Sequence, residues 1–134
     1  MTSTITDAFV VDTHPLVWYL MDDTQRLSSA ANGIFKDAEE GLVDIIIPAI
    51  VVAEAIYVGE KYDLPVSFER LAELIRAEPK FIVLPLDLPV LEAMARIGAR
   101  MEMHDRVIAA TASLYGAAVL TKDRAFEGVV QTVW

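Results

Sequence analysis

A chain of 134 residues suits a single domain, residues 1–134, with a core large enough to fold without a disulfide or a structural metal. It has no cysteines, which excludes a disulfide scaffold, thiolate catalysis and cysteine-bound zinc. Its net charge of −9 argues against broad, non-specific binding to nucleic-acid phosphates, which depends on surplus Lys and Arg, although a metal could screen an acidic site.

Hydrophobic residues make up 54% of the chain and mean hydropathy is +0.41. That predicts a helix-rich core and some apolar surface that another chain covers. The strongest apolar run, Ile45 to Ala53, is broken by Pro48 and bounded by Asp44 and Glu54. It is far short of the roughly 20 residues of a membrane span. The opening MTSTITDAF has no basic residue ahead of an apolar core, so no signal peptide is read and a cytoplasmic location is expected.

No internal repeat, low-complexity tract or linker interrupts the chain. AFVVD (Ala8–Asp12) reads as a short buried strand. HPLVWYLM (His14–Met21) opens a helix, with Pro15 early, where its missing N–H costs least. Ser28–Gly41 is a helix with Ser28 as N-cap and Gly41 as stop, and DIIIP (Asp44–Pro48) is a strand. Ala49–Tyr62 is a helix apolar on nearly every side, and Ser67–Glu78 is amphipathic, with Phe68, Leu71, Leu74 and Ile75 on one face. Phe81–Asp87 is a strand ending near Pro85, and Leu88–Arg100 is a helix on which Arg96 and Arg100 share a face that could engage RNA or an acidic partner. Asp105–Gly116 is a helix, Ala117–Thr121 a strand and Val129–Trp134 a last strand. Strands alternating with helices predict an α/β fold: a mostly parallel central sheet with helices on both faces, in three layers.

Ligands in such sheets gather beyond the carboxyl ends of the strands. Asp12 ends the first strand, Asp105 opens the helix leading into AAVLT, and Asp123 follows that strand. Each aspartate alone also reads as a helix N-cap. Glu54 does not, because it lies mid-helix in VVAEAIYV with no obvious polar face. A buried lone carboxylate costs several kcal/mol unless it is paired, protonated or bound to metal. Either Glu54 pairs with a distant Arg or Lys, or it joins the aspartates. Four converging carboxylates suit Mg²⁺, with Mn²⁺ as substitute, and such a cation can polarise a phosphoryl oxygen and activate water.

VVDTHPLVWYL, IPAIVVAEAIYV and MHDRVIAATASLYGAAVLTKDRAF together resemble the PIN domain, and within it the VapC-type toxins of toxin–antitoxin pairs. The match runs from Phe9 to Phe126. The resemblance implies a metal-dependent ribonuclease whose acidic site is Asp12, Glu54, Asp105 and Asp123, with Asp12 and Asp105 as the surest metal ligands. It places Thr13 and Thr121 at the small hydroxyl positions flanking that site. It also implies RNA as substrate, a small antitoxin partner and a homodimer, with no membrane. The approach to the third acid is reduced here to EMHDR; His104 and His14 are both read near the site, most readily in local hydrogen bonds.

Arg106, Lys122 and Arg124 adjoin the acids in sequence and are candidate phosphate contacts, with ordinary solvated surface as the rival reading. Trp18 and Tyr19 are expected in the core or a dimer contact rather than as base-stacking platforms. The alternative function is a catalytically inactive PIN-like protein-interaction module, which the apolar content also suits. A third reading, phosphoryl transfer to Asp12, is weak, because position 14 is His where a haloacid-dehalogenase-like phosphatase needs a second aspartate. A receiver domain needs an acidic pair, and Asp7 stands alone.

Overall fold

The computed structural model describes residues 7–134. The opening stretch read as lacking a signal peptide lies mostly outside them. Five strands form one sheet: β1 (Ala8–Val11), β2 (Asp44–Pro48), β3 (Phe81–Leu84), β4 (Ala118–Leu120) and β5 (Thr132–Val133). Six helices connect them: α1 (Thr13–Leu20), α2 (Ser29–Glu39), α3 (Ala49–Lys61), α4 (Phe68–Ala77), α5 (Leu88–Ile97) and α6 (Met103–Tyr115). The three-layer α/β/α expectation holds, and every strand pair is parallel.

The strand order is β3-β2-β1-β4-β5. β1 is central, and Val10 pairs with Ile46 on one side and Val119 on the other. Strands buried on both faces need continuous rather than alternating apolar residues, and DIIIP supplies them: Ile45, Ile46, Ile47 and Pro48 are all buried. The chain progresses from β1 outward through β2 to β3, then returns to the other side of β1 for β4 and β5. The order therefore reverses between β1 and β4, which opens a crevice at their carboxyl ends.

α6 packs on β1, β2 and β4, and buries Ile108, Ala109 and Ala112 in the main core. Val107 and Ala110, also on α6, meet Val90 and Ala93 of α5 in a second, smaller cluster. Tyr19 stacks on Phe35 and Phe81, with ring centroids 4.2 and 5.4 Å away, so it is a core-edge residue as expected. Among the described residues no helix is long and apolar enough to cross a membrane.

Several boundaries differ from the sequence reading. α6 begins at Met103, capped by Glu102, so Asp105 sits in its first turn and does not open it. α5 ends at Ile97 because Gly98 leaves the helix at φ +80°; Arg100 is then beyond the helix and shares no face of it with Arg96. The last strand is only Thr132–Val133. β4 has three residues to pair with, and the amides of Val129 and Val130 turn back to the Phe126 carbonyl instead.

Candidate active site

The crevice between β1 and β4 is where the acids meet. Asp12 directly follows β1, and its amide still bonds to the Leu120 carbonyl at 3.1 Å, which fixes it to β4. Its side chain is buried, and both carboxylate oxygens are engaged. Oδ1 accepts from the Thr13 amide at 2.8 Å, capping α1, and Oδ2 accepts from the Thr121 hydroxyl at 2.7 Å. Capping and membership of the acidic site are therefore one arrangement rather than rival ones.

Thr13 and Thr121 are both buried, and each hydroxyl serves a second acid. The Thr13 hydroxyl donates to Glu54 Oε1 at 2.9 Å, bringing the mid-helix glutamate of α3 beside Asp12. The Thr121 hydroxyl accepts from the Asp123 amide at 2.9 Å, and Asp123 Oδ1 in turn accepts from the Ala125 amide, capping the short 3-10 turn Arg124–Phe126. None of the ion pairs found among the described residues involves Asp12, Glu54, Asp105 or Asp123.

Asp105 completes the group from the first turn of α6. Burial pushes its carboxyl up from 3.8 to about 6, and the negative charges of Asp12, Asp123, Glu102 and Glu54 push in the same direction. The other three predicted acids, and Glu102, thus all lie close enough to act on Asp105. Glu102 is the residue that sequence reasoning missed. It accepts from the His104 amide at 3.0 Å and the Asp105 amide at 3.4 Å, and its Oε1 lies 2.8 Å from His104 Nδ1. That bond raises the imidazole's proton affinity and lowers that of the Glu102 carboxyl. An acid three residues before Asp105 is an N-cap spacing, so the signal was present in EMHD.

The predicted cations are placed unevenly. Lys122 lines a cleft of about 420 Å³ with Asp12, His14, Pro15, Trp18 and Asp123. Arg106 Nε donates to the Met94 carbonyl at 3.0 Å, so this guanidinium ties α6 to α5. Arg124 Nε pairs with Glu127 at 3.2 Å on the open surface.

The donors suit a hard divalent cation: all are carboxylate oxygens, and the elevated Asp105 carboxyl marks a place short of positive charge. Among the described residues no three His, Asp or Glu side chains already close around a common point. Asp12, Glu54, Asp105 and Asp123 are the residues that would hold such an ion.

The sequence matches the model of the PIN domain over residues 9–130, and the chain belongs to that family. Among curated proteins no significant match is found. The fold is similar to the DNA-bound VapBC of Salmonella typhimurium, with a TM-score of 0.69 and 20% identity over 96% of this chain and 98% of that one. It is likewise similar to VapBC2 of Rickettsia felis bound to a DNA fragment from its promoter, at 0.68 and 14% over 95% and 98%. FitAcB of Neisseria gonorrhoeae gives 0.63 and 24% over 94% and 96%.

Proposed function

We propose that this protein is a Mg²⁺-dependent endoribonuclease that hydrolyses RNA phosphodiester bonds and acts as the toxin of a toxin–antitoxin pair. The observation that carries the reading is the joining of Asp12, Glu54 and Asp123 through two buried threonines, opposite an Asp105 whose carboxyl the surrounding acids disfavour as an anion. Membership of the PIN family supports it.

A bound Mg²⁺ supplies Lewis acidity toward a phosphoryl oxygen and acidifies water at neutral pH. The protein's own part is positioning. Asp12 is held by Thr13 and Thr121 so that its carboxylate cannot swing away. Glu54, held beside Asp12 by Thr13, and Asp123, at the cleft wall, are the carboxylates available to accept a proton from the attacking water. Lys122, at the cleft wall beside Asp12 and Asp123, is the cation available to a phosphate oxygen. Arg106 and Arg124 are less available, since each guanidinium Nε is already bonded.

Asp12→Asn or Asp105→Asn should abolish Mg²⁺-dependent cleavage of a panel of structured RNAs while the far-ultraviolet circular dichroism stays unchanged. Cleavage that persists in EDTA, or in either variant, overturns the mechanism.

The partners we propose are a small antitoxin and a second copy of this chain. Exposed apolar side chains on and after the edge strand β3, among them Ile82, Val83, Leu86, Leu88 and Leu91, support a protein-covered surface. The similarity to structures of toxin–antitoxin complexes points the same way. An inactive interaction module with the same surface would show no heat on titration with Mn²⁺, whereas the enzyme reading expects saturable binding.

A further inference from the structure

The helix that starts at Asp12 carries an aromatic face into the same cleft. His14 and Trp18 are four residues apart on α1, so they lie one above the other, with Pro15 beside them. The ring centroids of His14 and Trp18 are 5.8 Å apart with a 44° tilt. On the other side Trp134, which follows β5, meets Trp18 at 5.9 Å and 57°. Trp18 is half-buried, not sealed in the core. It lines the cleft of about 420 Å³ that holds Asp12, Asp123 and Lys122, and with His14 it also lines a neighbouring one of about 340 Å³ that reaches Arg26 and Tyr62.

Resting on the ribonuclease reading above, we propose that the cleft between Asp12 and Trp18 is a nucleobase subsite: it takes one unpaired base of a single-stranded RNA against the Trp18 indole and the His14 ring, with the adjoining phosphate on Lys122. This departs from the sequence expectation that Trp18 serves only the core or a dimer contact. The charge balance favours it. With 11 Lys and Arg against 20 Asp and Glu, the chain has little charge for broad phosphate contacts, whereas stacking on an aromatic face needs no positive charge. Trp134 packs beside the indole, with ring centroids 5.9 Å apart.

The chain has two tryptophans, and both belong to this cluster, so indole fluorescence reports on the subsite. The Asp105→Asn protein, which should not cleave, is titrated with the four homopolymeric hexaribonucleotides and with a hexamer of abasic ribose phosphates. Trp134→Phe leaves Trp18 as the sole emitter. Saturable quenching by at least one base-bearing hexamer is expected, with affinity roughly five- to hundredfold weaker for the abasic chain. With Trp134 retained as the reporter, Trp18→Leu should show the same drop and Trp18→Phe a smaller one. In the otherwise wild-type enzyme Trp18→Leu should raise KM with kcat within about threefold. Should Trp18→Leu fail to fold, His14→Ala at its exposed position and the abasic comparison still decide. Equal affinity for base-bearing and abasic chains, or none for either, overturns the subsite. Absence of Mg²⁺-dependent cleavage by the wild-type protein overturns the nuclease reading instead, and quenching that depends on a base would then leave the subsite standing as a binding site.

Discussion

Thr13 and Glu54, 41 residues apart in the chain, are joined by a hydrogen bond of 2.9 Å from the threonine hydroxyl to Oε1. Because the Thr13 amide also holds Asp12 Oδ1, a single buried residue orients two acids from two different elements. Thr13→Val keeps the shape and removes the hydroxyl. Loss of an outer partner of this kind typically weakens metal binding or activity about 10- to 100-fold. We expect that loss in Mg²⁺ affinity by calorimetry and in cleavage rate, with unchanged circular dichroism. A variant as active as the wild type would show that the hydroxyl does not position Glu54.

Thr121 does the corresponding work on β4, but with a different balance of effects. Its hydroxyl is the donor to Asp12 Oδ2 and the acceptor for the Asp123 amide, and it is only 3% exposed. Thr121→Val leaves a buried carboxylate oxygen and an amide without these partners, at a cost of about 1–3 kcal/mol. Chemical denaturation should show that loss, and Thr121→Ser should recover most of it. Equal stability of the Val and Ser variants would mean that water replaces the hydroxyl without penalty.

These ties explain which parts of the molecule could be read from the chain. The acids stood out because Glu54 lies mid-helix, where it cannot cap, and Asp12 follows a run that reads as a buried strand, although Glu54 proves only partly buried. The threonines were visible only as positions flanking the site, because a hydroxyl's partner depends on strand order, and the β1–β4 pairing joins residues far apart in sequence. Glu102 was hidden by the stronger aspartate at position 105: both residues fit a helix start, and only the backbone decides which one caps. Arg106 looked like a phosphate contact for want of any way to see the Met94 carbonyl, which lies on another helix. Trp18 packs against the main core as its apolar surroundings suggest, but its partial exposure at the cleft could not be read from the sequence.

Asp105 sets a pH dependence whose sign reverses with metal. Its carboxyl moves from 3.8 to about 6 on folding, so the metal-free fold holds that proton more tightly than the unfolded chain does. The stability this contributes is full below 3.8 and is lost as pH rises through about 6. The group is half-exposed, so solvent screens the effect and the amplitude is small. If Asp105 holds Mg²⁺ as proposed, the cation must displace that proton, so the stabilisation by metal grows as pH rises through the same range. Thermal melts in EDTA and in Mg²⁺ should therefore diverge above about pH 6 and converge below it, and Asp105→Asn should remove the divergence. A gap between the two melts that is constant across this range would place the metal elsewhere.

Gly59 gives a prediction that concerns the scaffold alone and runs against helix propensity. It lies inside α3, where replacing Gly by Ala ordinarily stabilises by up to about 1 kcal/mol. Here the chain folds back over the end of α3. The Leu64 amide donates to the Gly59 carbonyl at 2.9 Å, and a Cβ at Gly59 would stand 2.3 Å from the Val66 carbonyl oxygen. Backbone cannot rotate aside as a flexible side chain can, so either α3 or the 64–66 segment must shift. Gly59→Ala should destabilise by about 1–3 kcal/mol, as overpacking does in other cores. Gly33, inside α2, is the control, because an added Cβ there meets nothing within 4 Å. Gly33→Ala should stabilise by the ordinary amount, measured in the same urea denaturation series. If both substitutions moved the midpoint in the same direction, the close approach of Val66 to α3 would not be a feature of the folded protein.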